Sequence, residues 1–418
     1  MHAIGCHDPE RWLEHGDKGL CFKAQARQPG KPHARLNVHP QTHISMTETT
    51  HIVLVGAGHA HLHVAANAGQ LIDAGAGVTL LSPGNFWYSG MASGMLGGEY
   101  SDDDDRLDPA ALITQAGGRF IADRVIAIDR EQRLLHLAKG DPLPFDLLSL
   151  NLGSRVDAPS ISGIEDAKGV WPAKPIDNLY QLRELLESAL GDSAPLPRLA
   201  VIGGGPTGAE LAANLLALSE RYGRKFDISL ISASKRLLEH APRSASAWLA
   251  KRLRRRGLRI EMAASAVTYR QGMLTLDDGM QLPADHIVMA TGLVAPLLIS
   301  ELDLEHHPHH GLAVTSALHT PYDDRIFAVG DCAWLKDSPY PKLGVFGVRQ
   351  APILLHNLVA HLKNTPFEAF QPQRRYLSIL NLGDGRGMAL WGRLWWAGRL
   401  AMRTKRRLDH DFMQQYRP

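Results

Sequence analysis

The sequence predicts an α/β protein with two Rossmann-like dinucleotide-binding domains, closed by a small β-hairpin and a helix. Two apolar strands run straight into glycine-rich turns that open helices, at "VLVGAGHAHLHVAANAG" (53–69) and "RLAVIGGGPTGAELAANLLALSE" (198–220). Between and beyond them, short β-rich runs alternate with helical stretches, the pattern of a parallel sheet with crossover helices.

In chain order, the first unit reads as strand 51–55, helix 59–74 and strand 77–82. In "FDLLSLNLGS" (145–154) an Asp precedes an apolar strand that ends at Gly153. The second glycine-rich turn follows about one domain length after the first, and its helix leads into the strand "FDISLIS" (226–232). "ADHIVMATGL" (284–293) repeats the Asp–strand–glycine order and ends at Gly292, while "DRIFAVGDCA" (324–333) puts Gly330 and Asp331 at a strand end. The closing stretch (376–416) reads as a hairpin through Gly383-Asp384-Gly385, then a basic helix from about Trp396.

Composition bounds the function. With 418 residues, 44% hydrophobic and 21% charged, the chain is an ordinary globular protein of two or three domains. A formal net charge of +2 gives no basic face for nucleic acid. No apolar run reaches a membrane-spanning length, and the start has acids and no apolar core, unlike a secretory signal. The three cysteines, Cys6, Cys21 and Cys332, form no C-x-x-C pair, which points to a reducing compartment, most simply the cytoplasm. Residues 1–45, rich in His, Pro, Gln and charge, read as a disordered, dispensable extension ahead of a start at Met46.

The second turn fits G-x-G-x-x-G fully: Gly203 allows the tight turn, Gly205 admits a phosphate, and Gly208 lets helix and strand pack closely. Ser232 stands where an acid often binds the ribose 2′-hydroxyl of NAD, and Lys235 and Arg236 nearby suit a 2′-phosphate. On this reading NADPH is used at least as well as NADH. The first turn keeps Gly56 and Gly58 but has His61 at the packing position, so that side chain must sit beside the strand or tilt the helix outward. Ser82 occupies the acid position of its second strand. His59 and His63 share a helical face while His61 points elsewhere, so no metal site is expected there. His306, His307, His309 and His310, broken by Pro308, read as a loop. Asp331, at a strand end, is placed to accept hydrogen bonds from a polyol.

This order of motifs, over residues 50 to 418, resembles the two-dinucleotide flavoprotein reductases of the pyridine nucleotide–disulfide oxidoreductase superfamily. The resemblance implies a glutathione-reductase-like arrangement: an FAD domain in two parts (46–169 and 293–372), an NAD(P)H domain (170–292) inserted in it, and a C-terminal segment (373–418). It implies FAD at Gly56, Gly58, His59, Ala60, Ser82, Gly153, Gly330 and Asp331. It implies NADPH or NADH at Gly203, Gly205, Thr207, Gly208, Ser232 and Gly292. Glu210, in "GGGPTGAE", matches an acid near the nicotinamide in type II NADH dehydrogenases.

A branch found alone or fused ahead of selenophosphate synthetase is more similar still, through "YSGMASGMLGGEY" (88–100), "KPI" (174–176), "GVFGVRQAPILLHNL" (344–358) and "RRLDHDFMQQY" (406–416), although Ser93 replaces a usual Pro. Disulfide and sulfide:quinone chemistry need cysteines beside the flavin, and Cys332 is alone in the body of the chain. The implied activity is an FAD-dependent NAD(P)H dehydrogenase passing hydride to FAD and electrons to a small acceptor, a quinone by the nearest cysteine-free comparison. A reductase serving selenium metabolism or another soluble acceptor, and a non-catalytic FAD-binding partner protein, are the alternatives. Lys174 is expected at the flavin edge and Gln350 beside the acceptor. Nothing in the sequence opposes a homodimer. Trp391, Trp395 and Trp396, among Arg393, Arg399, Arg403, Lys405, Arg406 and Arg407, suit a peripheral contact with the inner face of the cell membrane. The same segment also offers Trp396, Leu400, Leu408 and Phe412 as a core-facing helical stripe.

Overall fold

A computed structural model describes residues 49–101, 103–157, 161–165 and 167–417. The expectations for residues 1–45, for the start at Met46 and for Cys6 and Cys21 lie outside the described residues.

Strand Thr50–Val55 is the centre of the first sheet. Its Ile52, Val53, Leu54 and Val55 are all buried, as a strand covered on both faces requires. It pairs in parallel with Ala76–Leu81 on one side and Leu147–Leu150 on the other. Arg119–Ile121 extends one edge, while Asp323–Ala328 and then His319–Thr320 extend the other, giving six strands. Segments nearly 200 residues apart thus share one sheet, and their C-terminal ends bring Gly56, Gly153 and Gly330 to one rim.

The second sheet has five parallel strands in the order Val170–Pro172, His286–Met289, Leu199–Ile202, Ile228–Ser232 and Arg259–Met262. Helix Pro206–Arg221 starts directly after Gly205, with Pro206 at its first position, where the missing N–H is no loss. A 20-residue helix, Gly344–Lys363, packs on the first glycine-turn helix and begins at the same rim.

Three local expectations need correction. The helix expected over 59–74 is two, His59–Ala66 and Gly69–Asp73, because Asn67 closes the first turn and its side chain bonds back to the His63 carbonyl at 2.8 Å. The histidine loop is a hairpin: His306–His307 pairs with Gly311–Val314, and His310 stacks on Trp334 at 5.8 Å. At the C-terminus the hairpin Leu377–Asn381 and Gly387–Trp391 gains a third strand, Leu394–Gly398, and the helix begins only at Arg399. Trp396 is therefore in a strand. The helix buries Ala401, Met402, Lys405, Asp409 and Met413, leaving Leu400 and Leu408 72% and 52% exposed, so the proposed core-facing stripe does not exist.

Candidate functional site

A cavity of about 480 Å³ opens at the rim of the first sheet. Gly56, Gly58 and His59 line one wall, with Ser82, Gly153, Ser154, Lys174, Gly330, Asp331, Gly344 and Gly347 around it. Two glycine-rich helix starts, His59–Ala66 and Gly344–Lys363, meet here, so their dipoles and the first-turn amides that Asn151 does not take favour an anion. Gly56 has φ +87°, and a Cβ on it would come within 2.6 Å of the Asn151 carbonyl. A Cβ on Gly58 would overlap the Asn151 side chain. This backbone is bare because no side chain fits. That cradle, with a carboxylate at its end, suits the pyrophosphate and polyol chain of a dinucleotide.

Asp331 Oδ2 accepts from Lys174 Nζ at 2.6 Å and Ser154 Oγ at 2.7 Å. Burial opposes its ionisation, but the Lys174 ammonium and these hydrogen bonds outweigh it and hold the carboxyl below its ordinary range. Lys342 donates to the Asp331 carbonyl and tethers it to His310. His59 stands among Phe86, Tyr88 and Phe412, at 5.0, 5.8 and 5.5 Å between ring centres. Burial depresses its pKa to about 4, so the ring is neutral at physiological pH.

A second cavity, of about 460 Å³, lies over the second glycine turn and is lined by Gly204, Gly205, Pro206, Ser234, Glu239, Arg374 and Arg375 among others. A narrow cleft of about 120 Å³ is lined by Ser93, Lys174, Thr207, Glu210 and Thr291. Lys174 borders this cleft and the first cavity alike. Glu210 Oε1 accepts from Asn381 N at 2.6 Å and Ser93 Oγ at 3.1 Å, while burial raises its pKa. The cleft adjoins the first cavity through Ser89, Lys174 and Ile176.

Several expected residues fall elsewhere. Ala60 is buried off the cavity, its amide given to Asn151 Oδ1 at 3.1 Å. Gln350 is wholly buried: its Oε1 accepts from Gly330 N at 2.7 Å and its Nε2 donates to Tyr340. It holds the strand end and lines none of these cavities. Gly292 is exposed and lines none of these cavities. Ser232 is buried beneath the turn, where a Cβ on Gly204 would overlap its hydroxyl. Arg236 is spent on the carbonyls of Leu238, Glu239 and Ala241. Gly203 and Gly208 shape the second turn from behind the cavity wall.

His61 turns inward to Gly56 and Ser149, and His63 faces Tyr416. Among the described residues no group of three or more His, Cys, Asp or Glu is arranged to hold a metal ion. Cys332 is fully buried and burial pushes its thiol up to about 11, so it supplies no thiolate.

Sequence reasoning missed Asn151, Ser154 and Glu239. Asn151 and Ser154 flank the glycine of an expected strand-to-glycine segment, the one signal that marked their neighbourhood.

The family model described as pyridine nucleotide-disulphide oxidoreductase matches residues 50–353. A type II NADH:quinone oxidoreductase of Haemophilus influenzae is 28% identical over 314 residues, covering 64% of this chain and 70% of that protein. A demethylphylloquinone reductase of Synechocystis is 26% identical over 298 residues, covering 67% and 72%. Among solved structures, the sulfide:quinone oxidoreductase of Aquifex aeolicus superposes with a TM-score of 0.73 at 17% identity, over 88% of this chain and 91% of that one, a likeness of fold.

Proposed function

This chain belongs to the pyridine nucleotide-disulphide oxidoreductase family, and we propose that it carries electrons from NADH or NADPH to a quinone. The enzyme is an FAD-dependent NAD(P)H oxidoreductase. FAD, when bound, supplies the two-electron redox chemistry. Gly56, Gly58, His59, Ser82, Gly153, Gly330 and Asp331 would hold it, with Lys174 fixing the Asp331 carboxylate. Gly205 and Thr207 would receive the nicotinamide nucleotide. Glu210 and Lys174, in the cleft, would orient its reactive end and exclude water.

One observation carries the choice of acceptor. Helix Arg399–Gln415 touches the wall of the first cavity on its inner face, where Phe412 packs on His59 and Tyr88 donates to Asp409 at 3.3 Å. Its outer face presents Leu400 and Leu408, and the adjoining strands expose Trp391, Leu394 and Trp396. One element thus joins the flavin site to an apolar surface, a route suited to a lipid-soluble acceptor. Relatives named for quinone reduction support the same reading.

The same surface would rest on anionic lipid, with Arg393, Arg399, Arg403 and Arg407 at its border. Lys405 is not among these cations: it is buried, paired to Asp409 at 2.9 Å and bonded to the Gly90 carbonyl. No described helix is long and apolar enough to cross a membrane.

The test is NADH- and NADPH-dependent reduction of a short-chain quinone by the yellow, FAD-loaded protein, with co-sedimentation on anionic liposomes alongside. Quinone turnover and salt-sensitive binding that is lost on replacing Trp391, Leu394 and Trp396 by Ser are expected. Turnover with soluble dyes or selenium compounds but no quinone would overturn the proposal.

A further inference from the structure

The sequence leaves the second fingerprint without an acid at its strand end, and the structure brings another acid, Glu239, to the cavity over that turn. The segment after strand Ile228–Ser232 folds back on the glycine turn. Leu238, at φ +50°, donates its N–H to the Gly204 carbonyl at 2.9 Å, and Ala241 N closes onto Leu238 O at 2.8 Å. Glu239 is the next residue after that staple, so its side chain lines the same cavity as Gly204, Gly205 and Pro206. Ser234 Oγ donates to Glu239 Oε2 at 2.6 Å and orients the carboxylate. A carboxylate has about four lone-pair sites, so acceptor capacity remains after that bond. Among the described residues no Lys or Arg side chain pairs with it: Arg236, the nearest in sequence, gives its hydrogen bonds to backbone carbonyls.

We propose that Glu239 accepts the ribose hydroxyls of the adenosine half and makes the enzyme select NADH over NADPH, a step that rests on assigning the second cavity to the nicotinamide nucleotide. The chemistry has a definite sign. A 2′,3′-diol donates to a carboxylate, whereas a 2′-phosphate brings close to two negative charges against it. Seven positions separate Glu239 from Ser232 in sequence, but the Leu238–Gly204 bond holds the acid beside the glycine turn, in the cavity that Gly204, Gly205 and Pro206 line. The two cations that suggested NADPH do not counter it, since Arg236 is engaged and Lys235 is exposed and lines none of the cavities described above.

Calorimetry on the FAD-loaded protein with NAD⁺ and NADP⁺ tests this without turnover. NAD⁺ should bind at least about tenfold more tightly than NADP⁺. Glu239→Gln should narrow that ratio several-fold, and Glu239→Arg should abolish or invert it. Ser234→Ala, which only frees the carboxylate, should weaken NAD⁺ a few-fold and leave NADP⁺ unchanged, and it serves if the arginine variant misfolds. A ratio near one in the wild-type protein, or one unmoved by every change at 239, overturns the inference while leaving the cavity assignment intact. Tight NADP⁺ binding that is lost on replacing Lys235, Arg374 or Arg375 by Ala would overturn it too. Binding of neither nucleotide would overturn the cavity assignment as well.

Discussion

The two glycine-rich turns begin alike and close differently. In the second, Gly208 lies so near the Gly203 carbonyl that any Cβ would collide with it, and helix packs on strand backbone to backbone. In the first, that position is His61, wholly buried, with Nδ1 at 2.6 Å from the Gly56 carbonyl and Nε2 at 2.8 Å from Ser149 Oγ. A carbonyl only accepts, so Nδ1 carries the proton and Nε2 accepts from Ser149. Asn151 completes the closure: its Oδ1 accepts from the amides of Ala60 and His61, and its Nδ2 donates to the Val329 carbonyl at 3.0 Å. One side chain therefore ties the turn, the helix and the strand before Asp331 together. The third glycine of the motif stands for a geometric need, and a hydrogen-bonded imidazole meets that need another way.

Breaking Asn151 should have the largest effect. Asn151→Ala strands the two buried amides of Ala60 and His61, at about 1–3 kcal/mol for each unsatisfied group, so roughly 3 kcal/mol of stability should go. Flavin should be lost with it while nucleotide affinity survives, as denaturation, flavin fluorescence and calorimetry would report. Gly208→Ala is the counterpart in the second turn: overpacking costs about 1–3 kcal/mol, and nucleotide should bind at least about tenfold more weakly with flavin retained. If either substitution depleted the other turn's ligand first, the division of labour between the turns would be wrong.

His61→Gly restores the motif and sharpens the comparison. It removes two hydrogen bonds and leaves a void, so chemical denaturation should show a loss of about 2 kcal/mol. A gain in stability would mean that His61 is a tolerated defect. The narrowest effect is in the pH profile, because it is confined to one window. Burial lowers the His61 pKa from its ordinary 6.5 to about 4, and His59 shifts likewise. Between those values the unfolded chain binds more protons than the folded one, so stability rises with pH across this window. It is complete above about 6.5 and is lost as pH falls toward 4, by up to about 1.4 kcal/mol per unit per histidine. His61→Asn should flatten that slope, and an unchanged slope would remove His61 as its source.

What was legible in the sequence was what local pattern encodes. Apolar runs ending in glycine announced both sheets, since a parallel strand buried on two faces reads continuously apolar, as Ile52 to Val55 do. Gly56, Gly58 and Asp331 were legible for the same reason. Asn151 was not, because its partners lie some 90 and 178 residues away and only the fold brings them within reach. The third C-terminal strand was missed because Trp396 suits a helix stripe with Leu400 as well as a strand. Gly392, at φ +61°, was the turn signal that separates them. Glu239 was hidden because a loop, stapled by one backbone bond, does the work expected of a strand end.

The most direct test of the account separates its two halves. Under anaerobic conditions the FAD-loaded protein is mixed first with NADH and then with a lipid-soluble quinone in anionic vesicles, while the absorbance of oxidised flavin is followed. Rapid bleaching on NADH and full return of colour on quinone are expected, with only the bleaching slowed in Gly208→Ala. Colour that bleaches but returns only with a water-soluble acceptor would contradict it.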